Sequence, residues 1–151
     1  MLFLSPEGDG TIVKNTVTIT GGGIQTVSFS DFEAVTVNER PTSMLTSAPN
    51  ILQANAGQNA YSFTVEYADT DNGIDVSRID VMDVAVTGPG GPVTIVMVDE
   101  PSGVNGSPKS ATYTITPPGG TWNDADNGTY NIAMQAGQVT DILNFPVEAG
   151  A

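Results

Sequence analysis

The sequence predicts an all-β protein of short strands and tight turns, and three observations predict it. Seventeen Gly and ten Pro punctuate 151 residues, and the neutral polar share is mostly Thr, Ser and Asn. Val and Ile are frequent while Lys, Glu and Leu are few, a mixture that disfavours helix and suits a pleated, half-buried surface. Several segments alternate apolar and polar residues with the period of two that marks a strand with one buried face. Hydrophobic residues at 39% with only 14% charged describe a folded chain rather than a disordered acidic tail.

Taken in order, Met1-Leu2-Phe3-Leu4 is followed at once by Pro6, Glu7 and Asp9, with no basic residue before it. It does not read as a signal peptide, and Met1 reads as a start placed on a piece of something longer. No apolar stretch approaches the ~20 residues of a spanning helix, so a soluble chain without membrane insertion is expected. A polar hinge, Asn38-Glu39-Arg40-Pro41-Thr42, divides the sequence, its Pro ending one extended run before the next. Residues 1–40 are expected to be strands from the end of an upstream β module, and residues 41–151 a β-sandwich. In the first block Val13, Val17 and Ile19 share one face between Thr11 and Thr20. The Gly21-Gly22-Gly23 turn leads to Ile24–Ser30, with Val27 and Phe29, and then to Ala34–Val37. Three strands in ~40 residues bury little alone, so this block should lean on a neighbour.

The second block carries the clearer pattern. Asn50–Ala54 is expected to be its first strand. Asn59–Tyr67 sets Tyr61, Phe63, Val65 and Tyr67 on one face and Ser62, Thr64 and Glu66 on the other. Ile79 and Val81 then share one parity and Val84 and Val86 the other, so the chain must shift face near Met82 and Asp83. Gly88-Pro89-Gly90-Gly91 ends that strand. Val93–Val98 is apolar at nearly every position and fits a strand covered on both faces. Ala111, Tyr113 and Ile115 point inward from Ser110–Thr116, as do Tyr130, Ile132 and Met134 from Thr129–Met134. Ile142–Val147 is expected to close the fold with Leu143, Phe145 and Val147 inward and Pro146 at an edge position.

About seven strands in ~100 residues, with turns every 8 to 12, is the arithmetic of an immunoglobulin-like sandwich. Asp126-Asn127-Gly128-Thr129-Tyr130 sharpens it, because a Tyr opening the penultimate strand after a turn is where such folds place a tyrosine corner. The set Tyr61–Tyr67, Asp71-Asn72-Gly73-Ile74-Asp75, Asp83–Pro89, Ala111–Ile115, Gly120-Thr121-Trp122 and Asp126–Tyr130 resembles the Ig-like or cadherin-like modules of large secreted or surface-attached bacterial proteins, modules often found beside calcium-binding repeats. The resemblance spans about Ala48 to Val147. It implies an extracellular, tandem spacer or adhesive module whose partners are neighbouring modules of the same chain, or a glycan or surface protein. Val27-Ser28-Phe29 and Phe32–Val37 look like the closing strands of the module upstream.

Charge and composition prune the chemistry. Four Lys and Arg against 17 Asp and Glu leave a net charge of −13, which argues against nucleic acid and anionic lipid as partners. Without Cys or His there is no disulfide, thiolate nucleophile, His-based triad or zincin site. Of the eleven Asp, five lie between Asp69 and Asp83, with Glu66 just before and Arg78 as the single offset. Calcium is the natural neutraliser, since it takes 6–8 carboxylate, carbonyl and water oxygens with loose geometry. Asp69 and Asp71 supply alternate oxygens on an extended loop, Gly73 lets the chain turn, and Asp75 and Asp80 could close around the ion. In an Ig-like sandwich this loop shares an end with the last inter-strand loop and the incoming linker, so Asp141, Gln138 and Glu39 belong to the same neighbourhood. Capping of turns and solvation of loops is the alternative role for these Asp.

A second acidic group, Asn123-Asp124-Ala125-Asp126, sits beside Trp122, which is expected to lid the core rather than stand exposed for a sugar to stack on. The crowded Asp suit neither a glycosidase pair nor an acid-proteinase pair, so no enzyme activity is expected. Asn105-Gly106-Ser107 and Asn127-Gly128-Thr129 match the glycosylation tripeptide but read as Asn-Gly turns. Lys14 and Lys109 are not set in core strands for an isopeptide staple. The expectation is therefore a non-catalytic structural or adhesive module stiffened by calcium. The alternatives are a carbohydrate- or protein-binding adhesin domain and an accessory domain of a secreted hydrolase.

Overall fold

Alternating side chains on β-branched and aromatic segments give two antiparallel sheets. The computed structural model describes Ile12–Val13, Thr16–Val17 and residues 38–99, 101 and 103–148. The chain divides into Met1–Asn38 and Glu39–Ala151. In the first unit β1 (Ile12–Val13) pairs antiparallel with β2 (Thr16–Val17), so the chain reverses inside the run expected as one strand. The expected strands at 24–30 and 34–37 lie outside the described residues.

The second unit holds β3 (Thr42–Ser47), β4 (Tyr61–Ala68), β5 (Val84–Gly88), β6 (Gly91–Val93), β7 (Ile95–Asp99), β8 (Lys109–Ile115) and β9 (Asn131–Met134). One sheet runs β3-β4-β8-β7 and the other β6-β5-β9. There is no α-helix among the described residues, only 3-10 turns at 53–55, 76–78 and 124–126. No helix there is long and apolar enough to cross a membrane. The inner faces pool into one core: Phe63, Val65 and Tyr67 from β4, Ala111, Tyr113 and Ile115 from β8, and Val84 and Val86 from β5, with Ile132 and Met134 of β9 packed against them. This is the layering of a β-sandwich.

Four expectations are corrected in detail. The first strand of this unit is Thr42–Ser47, not Asn50–Ala54, because the Asn55 side chain accepts the Leu52 N–H at 2.8 Å and winds 53–55 into a 3-10 turn. The apolar run at 93–98 is not one doubly covered strand. The chain crosses between sheets at Thr94, β6 pairing with β5 and β7 with β8, and Val96 stays exposed. The face shift expected near Met82 and Asp83 is a turn at 80–83 between a 3-10 turn and β5. Ile142–Val147 is not a continuous strand: the Asp141 carboxylate accepts the N–H groups of Leu143 and Phe145, both at 2.8 Å, and Asn144 takes φ 67°. Leu143 is thereby turned out to solvent while Val147 remains buried.

Candidate functional site

Antiparallel pairing decides which loops meet. Thr42 opposes Ala68 and Tyr67 opposes Lys109, while Val84 opposes Met134. The incoming linker and the loops 69–83, 103–108 and 135–146 therefore gather at one end. Backbone bonds weld them: Ile74 N–H donates to Gly106 O at 2.8 Å, Asp75 N–H to Thr140 O at 3.0 Å and Ile142 N–H to Gly73 O at 3.1 Å. Gly73 is required twice over, since its φ is +91° and a Cβ there would lie 2.9 Å from Gly106 Cα.

Asp69 is the pivot of this end. It is buried, and its Oδ1 accepts the N–H groups of Asn72 at 2.6 Å, Asp71 at 2.9 Å and Gly73 at 3.2 Å. Burial alone would raise its pKa, but those N–H groups outweigh the desolvation and hold the carboxyl below the ordinary aspartate value. Its Oδ2 is buried with no hydrogen-bond partner. Around it, Asp71 Oδ2 accepts the Glu39 N–H at 3.2 Å, and Thr70 donates its hydroxyl to Glu39 Oε2 at 3.0 Å. The linker and the acidic loop are thus hydrogen-bonded to each other through carboxylates.

The other expected site residues have different surroundings. Asp75 accepts the Ser77 N–H and hydroxyl, capping the 3-10 turn. Asp80 accepts the Met82 N–H at 2.6 Å. Asp141 is fully buried and closes the turn that displaces Leu143. The structure therefore brings Glu39, Asp69 and Asp71 together, joins Asp141 to them through the Ile74 bridge, and spends the carboxylates of Asp75 and Asp80 on their own turns. Among the described residues no group of three or more His, Cys, Asp or Glu side chains forms a ready-made metal cluster.

Sequence reasoning missed the loop 103–108, from which Ser107 Oγ accepts the Asp69 N–H at 2.7 Å and Asn105 Oδ1 the Val76 N–H at 3.0 Å. It also missed Thr140, whose buried Oγ1 has no partner. Asp83, read as one more loop acid, is instead fully buried in the core. Its Oδ2 accepts the Tyr113 hydroxyl at 2.6 Å and the Asp80 N–H at 2.9 Å, and Tyr113 is bonded in turn to the Tyr67 hydroxyl at 2.7 Å. Burial raises the pKa of both tyrosines well above the ordinary phenol range, with the Asp83 charge adding to it. The face shift at Met82 and Asp83 was the sequence signal that this Asp turns inward.

At the opposite end a groove of about 690 Å³ lies between the segment after β3 and the one before β9; its lining includes Ile51, Tyr61, Phe63, Trp122, Tyr130 and Ile132. Trp122 is 4% exposed and donates its ring N–H to Ala60 O at 3.3 Å. It packs edge-on against both Tyr61 and Tyr130, which is a lid on the core rather than an open stacking platform. The Tyr130 hydroxyl donates to Asp126 O at 2.8 Å, a bond back to backbone just upstream. Comparison with protein-family models, with curated proteins and with solved structures returns no match for this chain.

Proposed function

We propose that the second unit is an Ig-like or cadherin-like sandwich acting as a non-catalytic structural or adhesive module of an extracellular multi-module bacterial protein, stiffened by calcium at the Glu39–Asp69–Asp71 end. The strand order β3-β4-β8-β7 matches the way such sandwiches lay out their A, B, E and D strands, and the Tyr130 bond to Asp126 O matches their tyrosine corner. The observation that carries the calcium reading is the buried, unpartnered Oδ2 of Asp69. A carboxylate kept ionised by backbone N–H groups, with one oxygen left bare, lacks a cation. Leaving such a group unsatisfied costs about 1–3 kcal/mol or more.

Asp71 and Glu39 supply further carboxylates beside it, and loop carbonyls with water would complete an oxygen shell of the kind calcium accepts. The ion would tie the linker to the acidic loop and reduce bending there. The test is thermal unfolding of the chain with excess calcium and then with chelator, at fixed ionic strength so that screening is constant. The expected result is a midpoint several degrees higher in calcium, little change in magnesium, and loss of the difference in Asp69→Asn. An unchanged midpoint in the unmodified protein removes the calcium reading.

A further inference from the structure

The two facing sheets are unequal, four strands against three, and the narrower one is open on the side that faces β3. Among the described residues β9 pairs only with β5. Gln135 N–H donates to Asp83 O at 2.8 Å in continuation of that ladder. Residues 131, 133 and 135 therefore spend their backbone groups on β5 and its approach, and the alternation of an antiparallel ladder turns the N–H and C=O of Ile132 and Met134 to the open side. Across from that edge, Leu45 of β3 opposes Val65 and shares its core-facing parity. Val65 is 3% exposed, yet Leu45 is 48% exposed.

Between the two lies the groove of about 690 Å³, with Phe63, Val86 and Ile115 of the core among its lining residues and Ile132 beside the open edge. A half-exposed core position, an edge with unspent backbone groups and a cavity lined by core side chains are together the features of a sheet that lacks one strand. The segment 139–147 supplies part of it, since Val139 and Val147 are buried and Val147 N–H donates to Val139 O at 2.9 Å. Its returning arm also sets the polarity that an added strand would share, antiparallel to the chain leaving β9.

We infer that this side is a strand-acceptor groove for an extended segment of a separate partner polypeptide, running antiparallel to β9, with apolar side chains at alternate positions entering the groove. Charge selects the partner. Asp124 lies on the groove lining and the whole chain carries −13, so a second copy would bring the same charge to the interface, whereas a basic or neutral strand is attracted to it. Backbone bonds to Ile132 and Met134 would give affinity, and the groove would read the alternate apolar residues.

The test uses synthetic heptapeptides added to the full chain: one alternating Val or Phe with Lys or Thr, one of the same composition scrambled, and one with Glu in place of Lys. Amide exchange is read by NMR. The expected result is at least tenfold slower exchange at the Ile132 and Met134 amides with the alternating basic peptide, weaker protection with the acidic one and none with the scrambled one. Leu45→Asn, at an exposed position that leaves the fold intact, should weaken binding several-fold. Unchanged exchange at millimolar alternating peptide overturns the proposal, as does equal binding of the scrambled peptide. Protection of both amides in the free protein, accompanied by a dimer in sedimentation, also overturns it and makes a second copy the occupant.

Discussion

Asp83 and Asp69 are both buried carboxylates, and their neighbours give them different work. Asp83 faces hydroxyls: with the Tyr113 proton committed to its Oδ2, Tyr67 donates to Tyr113, and a charge inside the core is spread along a chain of bonds. Tyr113→Phe leaves that carboxylate oxygen short of a donor and should cost about 1–3 kcal/mol in denaturant unfolding, with Tyr67→Phe costing less, about 1 kcal/mol. Because both phenols have raised pKa values in the folded state, their contribution is fully present below the unfolded tyrosine value near 10 and is lost as pH rises beyond it. Tyr113→Phe should therefore flatten the alkaline arm of a plot of unfolding midpoint against pH. Asp69 has the opposite sign. Its folded pKa is lowered, so its contribution is present above the unfolded aspartate value near 4 and fades as pH falls through the folded one. In chelator, Asp69→Asn should show a weaker acid arm than the unmodified protein.

At the level of elements, close backbone approach and the Tyr130 corner hold the loops on the sheets. Gly88 lies in β5 where a Cβ would fall 2.3 Å from the Tyr130 ring. Gly88→Ala must therefore displace the ring that packs on Trp122, and should lower stability by about 1–3 kcal/mol with a change in Trp122 fluorescence. Tyr130→Phe keeps the packing and removes only the bond to Asp126 O, so a smaller loss of about 0.5–1.5 kcal/mol is expected in the same titration. The strands β4 and β8 were legible because their alternation is unbroken from Tyr61 to Tyr67 and from Ala111 to Ile115. The run 93–98 was not, since an apolar stretch says nothing about a crossing from one sheet to another; partners decide that. Ile142–Val147 misled for a similar reason: its apolar residues suggested a strand, but one Asp carboxylate captured two N–H groups and made a turn.

Across the whole molecule, the four segments at the acidic end come from sequence positions up to about a hundred residues apart, and the antiparallel register alone brings them together. If calcium binds there, saturation at about a hundred times Kd would add roughly 2.7 kcal/mol to unfolding, and limited proteolysis should slow within the linker at 38–42 as well as in the loop 69–83. Cleavage of the linker at the same rate with and without calcium would show that an ion on the loop leaves the linker unstiffened. The sequence by itself determined the all-β class, the inward faces of the long strands, the absence of thiol and imidazole chemistry, and the concentration of acid in one loop, because composition and period-two patterning are local properties. Tertiary structure decided which acids turn inward, which spend themselves on turns, which loop completes the end and where a sheet edge stays open. Those outcomes depend on register and on competition for backbone N–H groups between residues far apart in the chain, and no local pattern encodes them.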